Sequence, residues 1–362
     1  MSGEAQFQKP GVVIKPEITK EKAAQLLFQL YGYRAVDIKE LNSYDDRNYL
    51  VSVLSNENVL QFTLKITNSL ESNIPGLIEA FNEIGQHISE KGLTVPVPIL
   101  NKEGKYLCKI KLSENDDTIN SVRLLKFIPG QMLKEVAYSE RLLIETGQLL
   151  ARLTNALQDY RNEALQKRSS IWNLKNAVKV EEFLFAISDE CRIQMIRNVL
   201  KEFENKVLCK IDSLNQSIIH GDFNEQNILV RKVNEHYEPY AVIDFGDCHF
   251  APQVFDLSMA CAYVMLDCTT MDPLIAPAFV IQGYTQIRQI TDEELALIPV
   301  CIKARLSQSL VMGAYSYFLD PNNEYTLSSS KTGWILLEKM TASNDSQLLQ
   351  KWKTLCSVET KA

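Results

Sequence analysis

HGDFNEQNIL at residues 220–229, followed by AVIDFGD at 241–247, is the stretch on which the reading of this chain turns. Ser217, Ile218 and Ile219 lead into His220 as the end of a short strand, and Ile228, Leu229 and Val230 leave as a second. Residues 220–227 then form a tight loop that holds Asp222 and Asn227 on a rigid rim. A further β-prone run, Tyr240 to Ile243, ends at Asp244, just before Phe245 and Gly246, where the chain can turn sharply. Three oxygen-bearing side chains at these positions suit phosphoryl transfer, which asks a protein to position an acceptor hydroxyl and to hold metal ions against phosphate oxygens. Each also has a plainer use, because Asp and Asn cap their own turns and Gly supplies positive φ. Their joint spacing, flanked by apolar strands in the right order, favours the catalytic reading. His220 is expected to orient the loop by hydrogen bonding rather than to titrate.

The pairing of HxDxxxxN with DFG resembles the protein-kinase signature, in which the first Asp accepts the hydroxyl proton and the Asn and second Asp bind magnesium. Here Gly221 stands where protein kinases carry Arg, and no APE follows the DFG. A protein substrate is therefore disfavoured.

At 362 residues the chain exceeds a single core of about 250–300 residues, so two lobes sharing a cleft are expected. Apolar content of 46% and charged content of 23% are ordinary for a globular protein. The net charge of −7 argues against nucleic acid as partner and mildly favours a cationic substrate. The eight cysteines show no CxxC pair and read as reduced thiols. No secretion signal opens the chain, and no run approaches the ~18 continuous apolar residues of a membrane span. A cytoplasmic protein without membrane, nucleic-acid or protein partner is expected.

Residues 1–18 are polar and read as a flexible arm. Thr19 offers an N-cap to a helix that Gly32 stops. Asn48 to Leu54 and Val59 to Thr67 make a hairpin around SNEN, a helix runs from Gly76 to Lys91, and Tyr106 to Leu112 and Val122 to Ile128 are two more strands. After Pro129 the chain turns mainly helical: Ser139 caps one helix, residues 180–215 and 253–318 are apolar-periodic, and Pro299 starts or kinks a helix. The pattern predicts an α+β, bilobed fold, with a small antiparallel-sheet lobe and one main helix over 19–129, and a larger, mostly helical lobe over 130–362.

Lys65, in FTLKI on the second hairpin strand, can reach nucleotide phosphates. Glu79 is the candidate to pair with it, although the apolar stripe Leu77, Phe81, Ile84 and Ile88 puts Glu79 on the opposite face. No glycine-rich loop precedes these strands; the turn SYDDRNY offers Ser43 and Tyr44 to phosphate, while Asp45 and Asp46 repel it unless turned away or metal-linked. In KFIPG, the backbone of Lys126, Phe127 and Ile128 could bond a base edge.

HGDFNEQNILV and VIDFGD, with Lys65 upstream, resemble the aminoglycoside phosphotransferase and choline kinase superfamily of small-molecule kinases. LNSYDDRNYLV at 41–51, IWNLKN at 171–176 and RLSQSLVMGAYS at 305–316 are more narrowly similar to its hydroxylysine kinase branch. The resemblance implies a bilobed kinase-like fold and transfer of the γ-phosphoryl group of GTP, with magnesium, to 5-hydroxy-L-lysine, a step of lysine degradation. It implies Asp222 as base, Asn227 and Asp244 as metal ligands, Lys65 on the phosphates and Glu79 as its partner. ATP remains open as donor; ethanolamine, choline, homoserine or an aminoglycoside remain open as acceptors, and so does a nucleotide-binding scaffold without turnover. For an acceptor with two amines and one carboxylate, Asp247 could meet an ammonium, Arg305 could clamp the carboxylate and Trp172 could face a cation. Asp247 could equally cap its turn, Arg305 form a surface salt bridge, and Trp172 pack between lobes.

Overall fold

The structure is a computed structural model that describes residues 14–43, 45–55, 57–112, 117–319 and 330–358. Most of the expected N-terminal arm, residues 1–13, and the phosphate-loop candidate Tyr44 lie outside the described residues. The chain divides into two units. One runs to Pro129 and takes in Asn162–Arg168; the other comprises Gly130–Arg161 and the chain from Ser169 onward.

The first unit is built on an antiparallel sheet. Thr19 accepts a 3.3 Å hydrogen bond from the Lys22 amide and so caps α1 (Lys20–Tyr31), which Gly32 ends. There follow β1 (Ala35–Leu41), β2 (Arg47–Ser55), β3 (Asn58–Thr67), α2 (Ser69–Ser72), α3 (Leu77–Glu90), β4 (Cys108–Lys111) and β5 (Ile119–Lys126). The sheet order is β1-β2-β3-β5-β4. Alternation along the strands sends Tyr49, Val51, Phe62, Leu64, Ile66, Val122 and Leu124 to one face, where Leu26 and Leu27 of α1 close over them. Each fully buried aliphatic here contributes about 1.5–3 kcal/mol. Lys65 and its cross-strand partner Arg123 point to the other face. There the Arg123 guanidinium lies 5.6 Å from the Phe81 ring centroid and donates to Asn82 Oδ1 at 3.3 Å, which places α3 against that face.

β1 was not expected from the sequence. It is an edge strand whose Asp37, Lys39 and Glu40 leave no clean alternation, and charges on an edge protect it from pairing with another chain.

The second unit contains, in chain order, β6 (Gln131–Met132) and α4 (Glu140–Leu157), then, past the first unit's short helix α5 (Glu163–Lys167), a 3-10 segment (Leu174–Ala186) and α6 (Glu190–Lys206). β7 (Gln216–Ile219), β8 (Ile228–Val233), β9 (His236–Val242) and β10 (His249–Pro252) follow. Helices α7 (Val254–Asp267), α8 (Ala276–Ile287), α9 (Asp292–Leu319), α10 (Ser330–Ala342) and α11 (Asp345–Val358) complete it. β7 pairs with β10, and β8 lies between β6 and β9. Ser139 caps α4 through a 3.2 Å bond from the Leu142 amide. The helix expected across 180–215 is instead three pieces, two of them 3-10, before β7 begins. Pro299 does not start a helix: it lies inside α9, which begins at Asp292. By length and composition α9 could cross a membrane, yet 83% of its most apolar window is buried within the protein. A small antiparallel-sheet unit and a larger, mainly helical one make an α+β fold, as the sequence pattern predicts.

Candidate active site

The loop after β7 is held from both sides. Asp256, in the first turn of α7, accepts the His220 amide at 2.7 Å through Oδ2 and the Gly221 amide at 2.9 Å through Oδ1. Asp256 is itself buried, which pushes its carboxyl above the usual range, while His220 and the two amides favour the charged form. The imidazole of His220 bridges the two halves of the motif. Its Nδ1 accepts the Asp222 amide at 3.2 Å, and its Nε2 lies 3.0 Å from the Ile243 carbonyl. His220 thus orients the loop, as its position suggested.

Gly221 explains the departure from HRD. Its φ is +80°, and a Cβ there would lie 2.2 Å from the Asp247 carbonyl oxygen and 2.9 Å from His249 Nδ1. No side chain fits this approach without moving backbone.

Asp222 stands at the centre. Oδ2 accepts from Asn227 Nδ2 at 2.9 Å, as does the Asp222 carbonyl oxygen at 2.9 Å. Oδ1 lies 3.2 Å from Arg305 Nη2. The Asp222 side chain keeps 25% of its surface open, yet its packed surroundings push the carboxyl up to about 7; Arg305 opposes this shift, and the charges of Asp247 and Asp244 add to it. Asp247 and Asp244 are therefore near neighbours of Asp222. Asp244, two residues past β9, caps a short 3-10 turn (Phe245–Asp247) in a left-handed conformation, φ +59°, and its Oδ1 accepts from the Gly246 amide at 3.4 Å. Such backbone is uncommon outside Gly, and Asp tolerates it better than most residues.

Because Asn227 spends its nitrogen on Asp222, its carbonyl oxygen is turned away from that carboxylate. Asn227 Oδ1 and the Asp244 carboxylate are hard oxygen donors, the set that magnesium takes when phosphates and water complete its shell.

Arg305, expected either at the surface or against a substrate carboxylate, is buried and turned inward. It donates to Tyr263 Oη at 3.2 Å, to the Trp172 carbonyl at 3.1 Å, to Gln308 Oε1 at 2.9 Å and to Asp222. The Trp172 and Tyr263 ring centroids lie 5.4 and 5.5 Å from its guanidinium carbon. Arg305 and Trp172 do come together with Asp222, but the cation that Trp172 faces is Arg305 itself.

In the first unit the structure corrects the Lys65–Glu79 pairing. Glu79 is exposed in the first turn of α3, and the buried Lys65 ammonium pairs with the Asp46 carboxylate at 3.2 Å. Asp46 Oδ1 also accepts the Asn68 amide at 2.9 Å and Asn68 Nδ2 at 3.0 Å. One of the two carboxylates expected to repel phosphate is thus turned inward and neutralised. The Ser43 hydroxyl folds back onto the Asp46 carbonyl of its own turn. Of the base-edge candidates, Lys126 is exposed and Ile128 buried; the Lys126 amide is bonded to the Val97 carbonyl at 2.8 Å and the Phe127 amide to that of Gln61 at 3.3 Å.

Asp256, Gln308, Tyr263 and Asp46 were missed in the sequence. Asp256 carried one signal, a lone acid in the apolar run VFDLSMACAYV.

Residues 37–289 match the model of the phosphotransferase enzyme family. A hydroxylysine kinase of Xenopus laevis is 31% identical over 90% of each chain, and one of Mus musculus 29% identical over 90% of each. Among solved structures, an amicoumacin kinase in complex with AMP-PNP, Ca2+ and Ami superposes with a TM-score of 0.71 at 17% identity, over 91% of this chain and 97% of that one. A rigid carboxylate loop, a neighbouring pair of oxygen donors and this family match agree: the chain belongs to the phosphotransferase enzyme family and is a small-molecule kinase acting on a hydroxyl acceptor.

Proposed function

We propose that the chain transfers the γ-phosphoryl group of GTP to the hydroxyl of 5-hydroxy-L-lysine, giving 5-phosphohydroxylysine and GDP. The observation that carries this reading is the Asp222 carboxylate, fixed between Arg305 and Asn227 with Asp244 and Asp247 close by. The hydroxylysine kinase relatives, which match nearly end to end, supply the choice of acceptor. Asp222 accepts the acceptor's hydroxyl proton as the oxygen attacks. Its carboxyl, raised toward neutrality by its surroundings, suits that task. Asn227 and Asp244 would hold magnesium, which neutralises charge on the triphosphate when bound. Lys65, set by Asp46, reaches the α and β phosphates, and Asp247 meets an ammonium of the acceptor.

Arg305 is a positioning residue for Asp222 in this scheme, not a clamp on the substrate. Replacing it with Gln removes the positive charge that favours ionised Asp222, so the acid limb of the kcat/KM profile should move to higher pH. A limb that stays in place would detach Arg305 from Asp222.

Asp244→Ala should weaken magnesium-dependent nucleotide binding by about 10²-fold. Titration of nucleotide with and without magnesium reads this directly, and full affinity in the variant would put the metal elsewhere.

Incubation of the purified chain with GTP or ATP, magnesium and a panel of amino alcohols, following nucleoside diphosphate release, tests substrate and donor together. Turnover confined to 5-hydroxylysine with GTP is the expected result. Turnover of ethanolamine, choline, homoserine or an aminoglycoside instead, or preference for ATP, would overturn the corresponding part of the reading.

A further inference from the structure

The Lys65–Asp46 pair is the middle of a set of bonds that lies wholly within the first unit. β2 and β3 pair with Arg47 opposite Ile66, so Asp46, one residue before β2, comes level with the chain as it leaves β3 through Thr67 and Asn68. There Asp46 is 9% and Asn68 3% exposed, too little for water to solvate either side chain. A buried carboxylate needs donors, and main chain and side chain of Asn68 both supply them to the same oxygen. The Asn68 amide reaches Asp46 Oδ1 at 2.9 Å and Asn68 Nδ2 reaches it at 3.0 Å, while Oδ2 faces the Lys65 ammonium at 3.2 Å. Two donors on one oxygen hold the carboxylate against rotation about its Cβ–Cγ bond. They thereby decide where the other oxygen meets the lysine.

Asn68 is itself fixed. Its Oδ1 accepts the Glu71 amide at 2.9 Å and so caps α2. The preceding carbonyl, of Thr67, accepts from Ser72 Oγ at 3.2 Å and from Asn120 Nδ2 at 2.9 Å, and Ser72 Oγ accepts the Ser121 amide at 2.8 Å. α2 and the end of β3 are thus tied to β5. The side chain of Asn68 divides its two ends between two tasks, oxygen to the helix and nitrogen to Asp46. Ser and Asp cap a helix about as well as Asn, yet neither carries an NH2 group. Capping alone does not call for Asn at this position; the bond to Asp46 does.

We propose that Asn68 is a positioning residue for phosphoryl transfer, which by holding Asp46 fixes where the Lys65 ammonium stands to meet the nucleotide. The inference rests on the reading of Lys65 as the residue that reaches the phosphates, and deepens it. A lysine is a point charge on a flexible stem: β3 sets the root of that stem, and a partner must set its tip. Asp46 is that partner, and Asn68 sets the partner. The chain that leaves the lysine's own strand therefore turns back to control its charge.

The test is a double-mutant cycle on the full chain, read by titrating GTP and ATP with magnesium, so that it does not depend on the acceptor. Lys65→Met should raise Kd about 10- to 100-fold, the range for a hydrogen bond to a charged group. Asn68→Ser, which keeps a capping oxygen and loses the NH2 group, should raise it about 3- to 10-fold, the net effect of one hydrogen bond, with thermal unfolding close to wild type. In the Lys65→Met background the same Asn68→Ser change should move Kd by less than about twofold, because the charge it positions is gone. Losses that multiply would mark a structural role for Asn68, and no loss from Asn68→Ser in the chain that retains Lys65 would mean that Asp46 is placed without it; both outcomes overturn the proposal. Lys65→Met that binds nucleotide as tightly as wild type would overturn the phosphate reading of Lys65, and the inference with it, and is told apart by that single variant. If Asn68→Ser unfolds at the assay temperature, Asn68→Asp carries the cycle. It keeps the capping oxygen and sets a carboxylate oxygen against Asp46, so Kd should rise at least as far as for Ser, and an unchanged Kd rejects the role.

Discussion

Asp222→Asn should lower kcat by about 10²- to 10⁴-fold while nucleotide still binds, the usual effect of removing a general base. In barrier height this is about 3–5.5 kcal/mol. The size of the effect can be assigned to chemistry because the surroundings survive the change. Arg305 keeps Tyr263, the Trp172 carbonyl and Gln308 as partners, and Asn227 can still donate to the main-chain carbonyl of residue 222. What disappears is an oxygen able to take a proton from the acceptor. Steady-state kinetics with a parallel nucleotide titration separates the two quantities. A rate equal to wild type would remove Asp222 from the role of base, and loss of nucleotide affinity would make it a structural anchor.

Gly221→Ala should be the most destabilising small substitution in the loop. A left-handed φ costs a residue with a Cβ about 1–2 kcal/mol, and overpacking adds about 1–3 kcal/mol. Both apply here, because φ is +80° and the new Cβ would meet the Asp247 carbonyl at 2.2 Å. Neither that carbonyl nor the His249 ring is the far end of a flexible side chain. Relief must come from shifting the loop, which pulls the two amides off Asp256. We expect Tm to fall by about 5–15 °C and kcat to fall even well below the melt, measured by thermal unfolding and by initial rates. Coincident melting curves would mean that the loop is not seated against Asp247.

How much of this was readable in the chain depended on whether each signal was local. The hairpin of β2 and β3 and the helix α3 show in the sequence because one face of each is apolar at the period of its own secondary structure. β1 does not, since an edge strand pairs on one side only and its charges erase the alternation. The 3-10 segment Leu174–Ala186 reads as helix because its apolar spacing lies close to that of an α-turn. The same holds for the site. Asp222, Asn227 and Asp244 sit in two adjoining turns whose spacing is visible in the sequence. Asp46 against Lys65, Asp256 under the loop and Gln308 beneath Arg305 are placed by tertiary packing. Of these, only Asp46 was weighed in the sequence, where its residue type suggested repulsion of phosphate. Glu79 shows the converse: a spacing argument nominated it, and the face of its helix, also legible, already spoke against it.

The clamp that Asp256 places on the amides of His220 and Gly221 has one more implication. The turn bearing Asp222 hangs from a helix inside the core, so its shape is set in the resting enzyme. Arrival of nucleotide and alcohol need not freeze a wandering segment, and binding affinity is not drained into ordering it. In the proposed reaction, that preorganisation comes from a buried carboxylate that holds the main chain of the loop.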